Sequence, residues 1–172
     1  KRLSELAAKE FPECVIDFRA FPQTGQSGTE PPKDVAELIL KYDVVIIMTT
    51  NSLSHTNARQ TASNSGVRIA SMPSIEASMF APDGPMNADS ELITKDCEIW
   101  ADRLTTGSDV HITTPFGTDL KFSIAGRDGH ADNGIYRGKG DWGNLPAGES
   151  FTAPIEGTAE GKMVVPKGWY PN

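Results

Sequence analysis

The sequence lacks the features that mark membrane, nucleic-acid-binding and disulfide-stabilised proteins. Among its 172 residues no apolar run approaches the roughly 20 residues that span a bilayer. The net charge of −7 leaves no basic excess for a nucleic-acid surface. Only two cysteines are present, Cys14 in a predicted strand and Cys97 in a predicted helix. We therefore expect buried thiols rather than a disulfide framework, no membrane or nucleic-acid partner, and a cytoplasmic protein.

Familiar catalytic motifs are missing as well. Ser52 and Ser54 lie in no G-x-S-x-G elbow, and no glycine-rich loop is present to hold a phosphate. The three histidines, His55, His111 and His130, do not have H-E-x-x-H spacing and are not accompanied by a Cys-x-x-Cys pair. We interpret them as a helix-start residue, a strand residue and a turn residue.

Residues 43–59 predict a strand, a polar turn and the start of a helix. Residues 44–48 are an unbroken apolar run, which predicts a strand buried on both faces. The following turn is rich in side chains that cap helices, namely Ser52, Ser54, Thr56 and Asn57. Residues 58–65 continue as a helix that Gly66 ends. The amides at this helix start are a hypothetical anion site.

The surrounding pattern predicts an α/β fold. Helices at residues 3–11 and from Pro31 onwards alternate with strands at residues 14–18, 44–48 and 67–72. Such alternation indicates a parallel sheet flanked by helices, a Rossmann-like or flavodoxin-like three-layer arrangement. We assign residues 1–108 to this N-terminal α/β domain. A longer helix with the stripe Ile93, Cys97, Trp100 and Leu104, capped by Asn87 or Asp89 and ended by Gly107, completes it.

The second part of the chain, residues 109–172, predicts a small antiparallel β-rich segment. Residues 109–114 and 120–124 flank a Pro-Phe-Gly-Thr-Asp turn and predict a hairpin. Residues 126–148 have the composition of a loop. Residues 150–155 and 162–165 predict a further pair of strands.

Glu149 is the acidic residue with the most suggestive surroundings. It follows a Pro-Ala-Gly turn and precedes Phe151, a position from which a carboxylate can bind a divalent metal or act as a base. From spacing alone, a surface glutamate beside a turn is the simpler interpretation.

Four segments resemble the thermophilic metalloprotease family of leucyl aminopeptidases, the aminopeptidase T type. They are Ser52-Leu-Ser-His-Thr-Asn-Ala-Arg59, Arg68-Ile-Ala-Ser-Met-Pro73, Val110-His-Ile-Thr-Thr-Pro-Phe-Gly-Thr-Asp-Leu120 and Asn144-Leu-Pro-Ala-Gly-Glu-Ser-Phe-Thr-Ala-Pro154. The resemblance implies a cytoplasmic, homodimeric, metal-dependent exopeptidase that removes N-terminal residues from peptide substrates. It also implies paired divalent cations such as zinc, cobalt or magnesium.

Within that resemblance, Glu149 corresponds to the first metal ligand, and Glu160 is a reserve candidate. The other ligands of the family would come after Asn172, and the family's first strand would precede Lys1. We therefore expect an N-terminal portion that is inactive by itself and binds no metal alone, because one carboxylate cannot hold two ions.

Two alternatives remain open at this stage. Ring-cleaving dihydroxypyridine dioxygenases share the scaffold and use a single ferrous ion held by a His/His/Asp set. A non-catalytic α/β module for dimerisation or substrate gating is the other alternative.

Overall fold

The computed structural model describes residues 2–169 as a mixed α/β protein with one small parallel sheet and two antiparallel sheets. The helices are α1 (Arg2–Glu10), α2 (Lys33–Ile39), α3 (Asn57–Asn64) and α4 (Ser90–Thr106). The strands are β1 (Val44–Ile47), β2 (Arg68–Ser71), β3 (Asp109–Thr113), β4 (Asp119–Ser123), β5 (His130–Asp132), β6 (Trp142–Asn144), β7 (Glu149–Phe151) and β8 (Glu160–Lys162). Within the described range, no helix is both long and apolar enough to cross a membrane.

Contacts divide the chain into two compact units. The first unit contains the residues up to Glu76 together with Tyr136–Asn144, and the second contains Ala77–Ile135 together with the residues from Leu145 onwards. The domain boundary between residues 108 and 109 stays a prediction, since the contact-based units follow a different division.

The parallel sheet organises the first unit. Its strand order is β1-β2-β6, with Val45 opposite Ile69 and Ser71 opposite Asn144. Ile69 is fully buried, and burial of such a side chain contributes about 1.5–3 kcal/mol. The core joins α2, α3 and one face of this sheet through Val35, Ile39, Ile47, Leu53, Ala62, Val67 and Ile69.

The opposite face of this sheet is exposed. Ile46 is 61% exposed, and Val44, which points to the same side because side chains alternate along a strand, is exposed too. The prediction that this strand is buried on both faces is therefore wrong. The α/β class is confirmed, whereas the three-layer arrangement is not.

The strand predicted at residues 14–18 is absent, and Val15 is 82% exposed. The apolar, β-branched composition of this segment favours a strand, but a strand also needs a hydrogen-bonding neighbour. Within residues 2–169 no strand pairs with it. Instead, Asp17 accepts a hydrogen bond from the Tyr42 hydroxyl.

Helix α4 organises the second unit, where it packs against β5 and β7. The Asp89 carboxylate caps its start by accepting from the amides of Glu91 and Leu92 at 2.9 and 3.1 Å, and Gly107 ends it, as predicted. Cys97 and Ala101 form its buried face, whereas Trp100, predicted as a core residue, is exposed.

Two predictions for the β-rich part are wrong. The loop predicted at residues 126–148 contains β5 and β6, of which β6 belongs to the parallel sheet. The two strands predicted after residue 149 do not pair with each other, because β7 pairs with β5 and β8 pairs with β4. The hairpin of β3 and β4 is confirmed.

Candidate functional site

A polar network lies at the carboxyl ends of the three parallel strands. The Ser54 Oγ atom lies 2.8 Å from both the Ser71 Oγ atom and the Asn144 Oδ1 atom, and 3.0 Å from the Ser52 Oγ atom. Ser54 and Ser71 are buried, and Asn144 is half-buried. Ligands of open α/β sheets bind at this edge, so the network is the best candidate site of the first unit.

Leu53 and Thr56 anchor the loop that carries Ser54. Leu53 is 1% exposed and belongs to the core cluster. The Thr56 hydroxyl donates to the Leu53 carbonyl oxygen at 2.8 Å and accepts from the Arg59 amide at 3.2 Å, which caps α3. The polar turn predicted from the sequence is therefore a helix start that is anchored by a buried side chain and by capping hydrogen bonds.

Arg59 and Trp142 form the wall beside the network. The Arg59 Nε atom donates to the Ser54 carbonyl oxygen at 2.6 Å, and the guanidinium carbon lies 3.6 Å from the centre of the Trp142 ring. Partial burial lowers the pKa of Arg59, which still remains a cation at neutral pH. The exposed His55 ring meets Trp142 edge-on at 6.1 Å between centroids.

The amides at the start of α3 are already occupied. The Glu30 carboxylate accepts from the Asn57 amide at 2.6 Å and from the Ala58 amide at 3.0 Å. The proposed anion site at this helix start is therefore filled by a side chain of the chain itself.

Replacing Glu30 with alanine is expected to lower the free energy of unfolding by about 1 kcal/mol, because the capping bonds and the charge at the helix start are lost. Urea unfolding followed by circular dichroism measures the change. Glu37→Ala is the matched control, because Glu37 is an exposed glutamate that makes a long 3.8 Å ion pair with Lys33. Equal effects of the two substitutions would contradict the capping role of Glu30.

The predicted metal ligands lie in the second unit, on different strands and on the surface. Glu149 begins β7, is exposed, and stands opposite Asp132 of β5. Glu160 begins β8, is exposed, and stands opposite Lys121 of β4. The structure does not bring the two glutamates together on one strand pair, and the role of Glu149 as a metal ligand stays a prediction.

The remaining histidines are on the surface of the second unit. The Nε2 atom of His111 lies 2.7 Å from the Asp119 Oδ1 atom, and this hydrogen bond lowers the pKa of Asp119. His130 packs against the Phe151 ring at 5.3 Å between centroids. Across residues 2–169, no three His, Cys, Asp or Glu side chains are grouped so that they could hold a metal ion.

Comparison with known proteins gives one family match and one structural match. Residues 8–170 match the model of the family described as NicX: 2,5-dihydroxypyridine 5,6-dioxygenase. The fold is similar to the structure of 2,5-dihydroxypyridine dioxygenase from Pseudomonas putida KT2440, with a TM-score of 0.59 and 17% identity. The similarity covers 83% of this chain and 40% of that chain. No curated protein matches.

These findings contradict the aminopeptidase interpretation and its hydrolase activity. The resemblance was drawn from segments that build the scaffold. Ser54 and Thr56 fix a turn, and Thr118 anchors the end of the β3–β4 hairpin by accepting from the Val164 amide at 3.0 Å. Such residues report a shared fold, and a fold alone does not identify the reaction.

A dioxygenase family implies a metal cofactor. The described residues do not fit one, because they offer no group of three metal-binding side chains. Asp132 and Glu149 stand opposite each other on β5 and β7, and two carboxylates fall short of a His/His/Asp set.

Proposed function

Because the chain belongs to the 2,5-dihydroxypyridine 5,6-dioxygenase family, we propose that it acts in the oxidative cleavage of a dihydroxypyridine ring. It spans 40% of the length of the dioxygenase whose structure it resembles. We propose that it contributes groups that hold the ring, while the metal is held by protein outside residues 2–169. The lack of a group of three metal-binding side chains among residues 2–169 supports this proposal.

The polar network at the sheet edge is the observation that supports a ring-holding role. The terminal nitrogens of Arg59 and the Nδ2 atom of Asn144 have no hydrogen-bond acceptor among residues 2–169, although both side chains are held in place through Ser54. Dihydroxypyridines carry oxygen atoms that accept hydrogen bonds. The stacked pair of Arg59 and Trp142 offers a flat wall against which an aromatic ring can pack.

The exposed face of β1 supports a further part of this proposal. Val44 and Ile46 would be covered by a second layer of helices in the assembled enzyme, the three-layer arrangement predicted from the sequence. The predicted homodimer is one source of such a layer, and sedimentation of the enzyme tests it.

Oxygen uptake tests the proposed function. The protein encoded by the complete reading frame, supplied with ferrous salt, is expected to consume one O₂ for each 2,5-dihydroxypyridine lost. The 172-residue chain alone is expected to retain no iron after gel filtration and to consume no O₂ above a protein-free iron control. Hydrolysis of leucyl p-nitroanilide by either protein, or stoichiometric iron on the chain alone, would contradict the proposal.

A further inference from the structure

The Asn144 amide faces the serine network with its oxygen atom, and the hydrogen-bond balance of the serines is consistent with that orientation. Ser54 has one hydroxyl hydrogen and three oxygen neighbours within 3.0 Å. The amide oxygen of Asn144 cannot donate, so the Ser54 hydrogen points to it, and the hydroxyls of Ser52 and Ser71 donate to Ser54. Every hydrogen of the three serines then has an acceptor.

Among residues 2–169, this arrangement leaves the Nδ2 half of the Asn144 side chain without a hydrogen-bond partner. Its Oδ1 atom accepts one hydrogen bond and retains a second lone pair, while the two Nδ2 hydrogens meet no acceptor within residues 2–169. The Asn144 main chain is fixed too, since its carbonyl oxygen accepts from the Tyr136 hydroxyl at 2.8 Å. The carboxamide is therefore a held donor and acceptor pair at the edge of the sheet, and its unpaired donor reaches solvent.

We propose that Asn144 binds the lactam edge of a 2-pyridone ring, an inference that rests on the proposed function for the identity of the ring. A 2-hydroxypyridine also exists as a 2-pyridone, in which a carbonyl oxygen adjoins a ring N–H. The Asn144 Nδ2 atom donates to that carbonyl oxygen, and the free lone pair of Oδ1 accepts from the ring N–H. Two parallel hydrogen bonds of this kind distinguish a pyridone from a benzene ring with the same hydroxyl groups.

Arg59 determines which charge of the ring the same site favours. Its guanidinium is held over Trp142 and by the carbonyl oxygen of Ser54, the residue whose hydroxyl binds the Asn144 amide, so the loop presents a fixed positive charge. A ring bearing an ionised hydroxyl group matches this charge, whereas a cationic ring does not. Ser54 and Ser71 act as positioning residues, because they orient the amide without facing the ligand.

The test measures binding of 2,5-dihydroxypyridine and hydroquinone to the 172-residue chain under nitrogen. These two rings differ in the lactam edge. We expect the pyridone to bind at least about fivefold more tightly, the order given by one or two net hydrogen bonds. Asn144→Ala should reduce that ratio to near one. Asn51→Ala should leave it unchanged, because the Asn51 side chain lies on the loop of Ser52 and Ser54 but makes none of these hydrogen bonds.

Nuclear magnetic resonance of the unmodified chain keeps the test valid if Asn144→Ala fails to fold. The Nδ2 proton signals of Asn144 should shift with 2,5-dihydroxypyridine and much less with hydroquinone. Unmoved signals at saturation, or an unchanged ratio in a folded Asn144→Ala protein, would overturn the inference. Ring cleavage that is indifferent to Asn144 would leave the proposed function standing without it. Pyridone binding at Asn144 without ring cleavage would support the inference about Asn144 and contradict the proposed function.

Discussion

Replacing Leu53 with alanine is expected to lower the free energy of unfolding by about 3–4 kcal/mol, within the range for a buried leucine whose cavity cannot collapse. Leu53 is 1% exposed and packs in the core beneath the loop that carries Ser52 and Ser54. The lost contacts also loosen the helix start, because the Leu53 carbonyl oxygen accepts from the Thr56 amide and hydroxyl. Urea unfolding followed by circular dichroism measures the loss.

Leu40→Ala provides the matched control for this prediction. Leu40 follows α2 in the same unit and is 44% exposed, so its truncation removes little buried surface. A loss of less than about 1 kcal/mol is expected for an exposed position of this kind. Similar losses for the two leucines would show that the loop at Leu53 is not anchored by its core contact.

Gly161→Ala is expected to destabilise the second unit by about 2–4 kcal/mol, by combining backbone strain with overpacking. Gly161 has a φ angle of +109°, and a Cβ atom there would lie 2.0 Å from the Asp119 carbonyl oxygen of β4. Since that oxygen belongs to the neighbouring strand, the two strands would have to separate. Hydrogen exchange of the β4 and β8 amides reports the separation, and urea unfolding measures the energy.

Gly157→Ala is a control that separates the effect of backbone strain from the effect of overpacking. Gly157 also has a positive φ angle, +76°, but a Cβ atom there meets nothing within 4 Å. Its replacement therefore costs only the backbone term, about 1 kcal/mol. If Gly161→Ala were no more damaging than Gly157→Ala, the close approach of β8 to β4 would be refuted.

Local sequence patterns predicted much of this structure. The helices, the Asp89 cap and the Gly107 end of α4 follow from contacts within a few residues, and so does the β3–β4 hairpin. The predictions fail where a strand forms only by pairing with a segment that is distant in the sequence. Residues 14–18 have the composition of a strand but find no pairing strand within residues 2–169. Trp142-Gly-Asn144 has the composition of a loop but pairs with β2.

The candidate site was missed for the same reason. Asn144 is a site residue only because β6 lies beside β2, where its carboxamide meets Ser54 across 90 positions of sequence. Its neighbours Gly143 and Leu145 give no periodic signal in a three-residue strand. Only the folded sheet shows that Ser71 of β2 lies opposite Asn144 of β6.

Glu149 shows a second limit of sequence patterns, and its role as a metal ligand stays a prediction. A glutamate after a Pro-Ala-Gly turn attracts a metal hypothesis, yet the side chain is exposed and faces one other carboxylate across the sheet. Metal sites depend on several ligands converging from different elements, which spacing along one segment does not reveal.

The late position of β6 in the chain has a consequence for synthesis on the ribosome. The first unit is interrupted after Glu76 and is completed only by Tyr136–Asn144. The 68 residues from 77 to 144 take about 3–14 seconds to add at 5–20 residues per second. Throughout that interval the outer edge of β2 is an open template for wrong partners, and Ser54 lacks the oxygen that receives its hydrogen. A nascent chain of this protein therefore carries an incomplete parallel sheet for seconds, until Asn144 has been added.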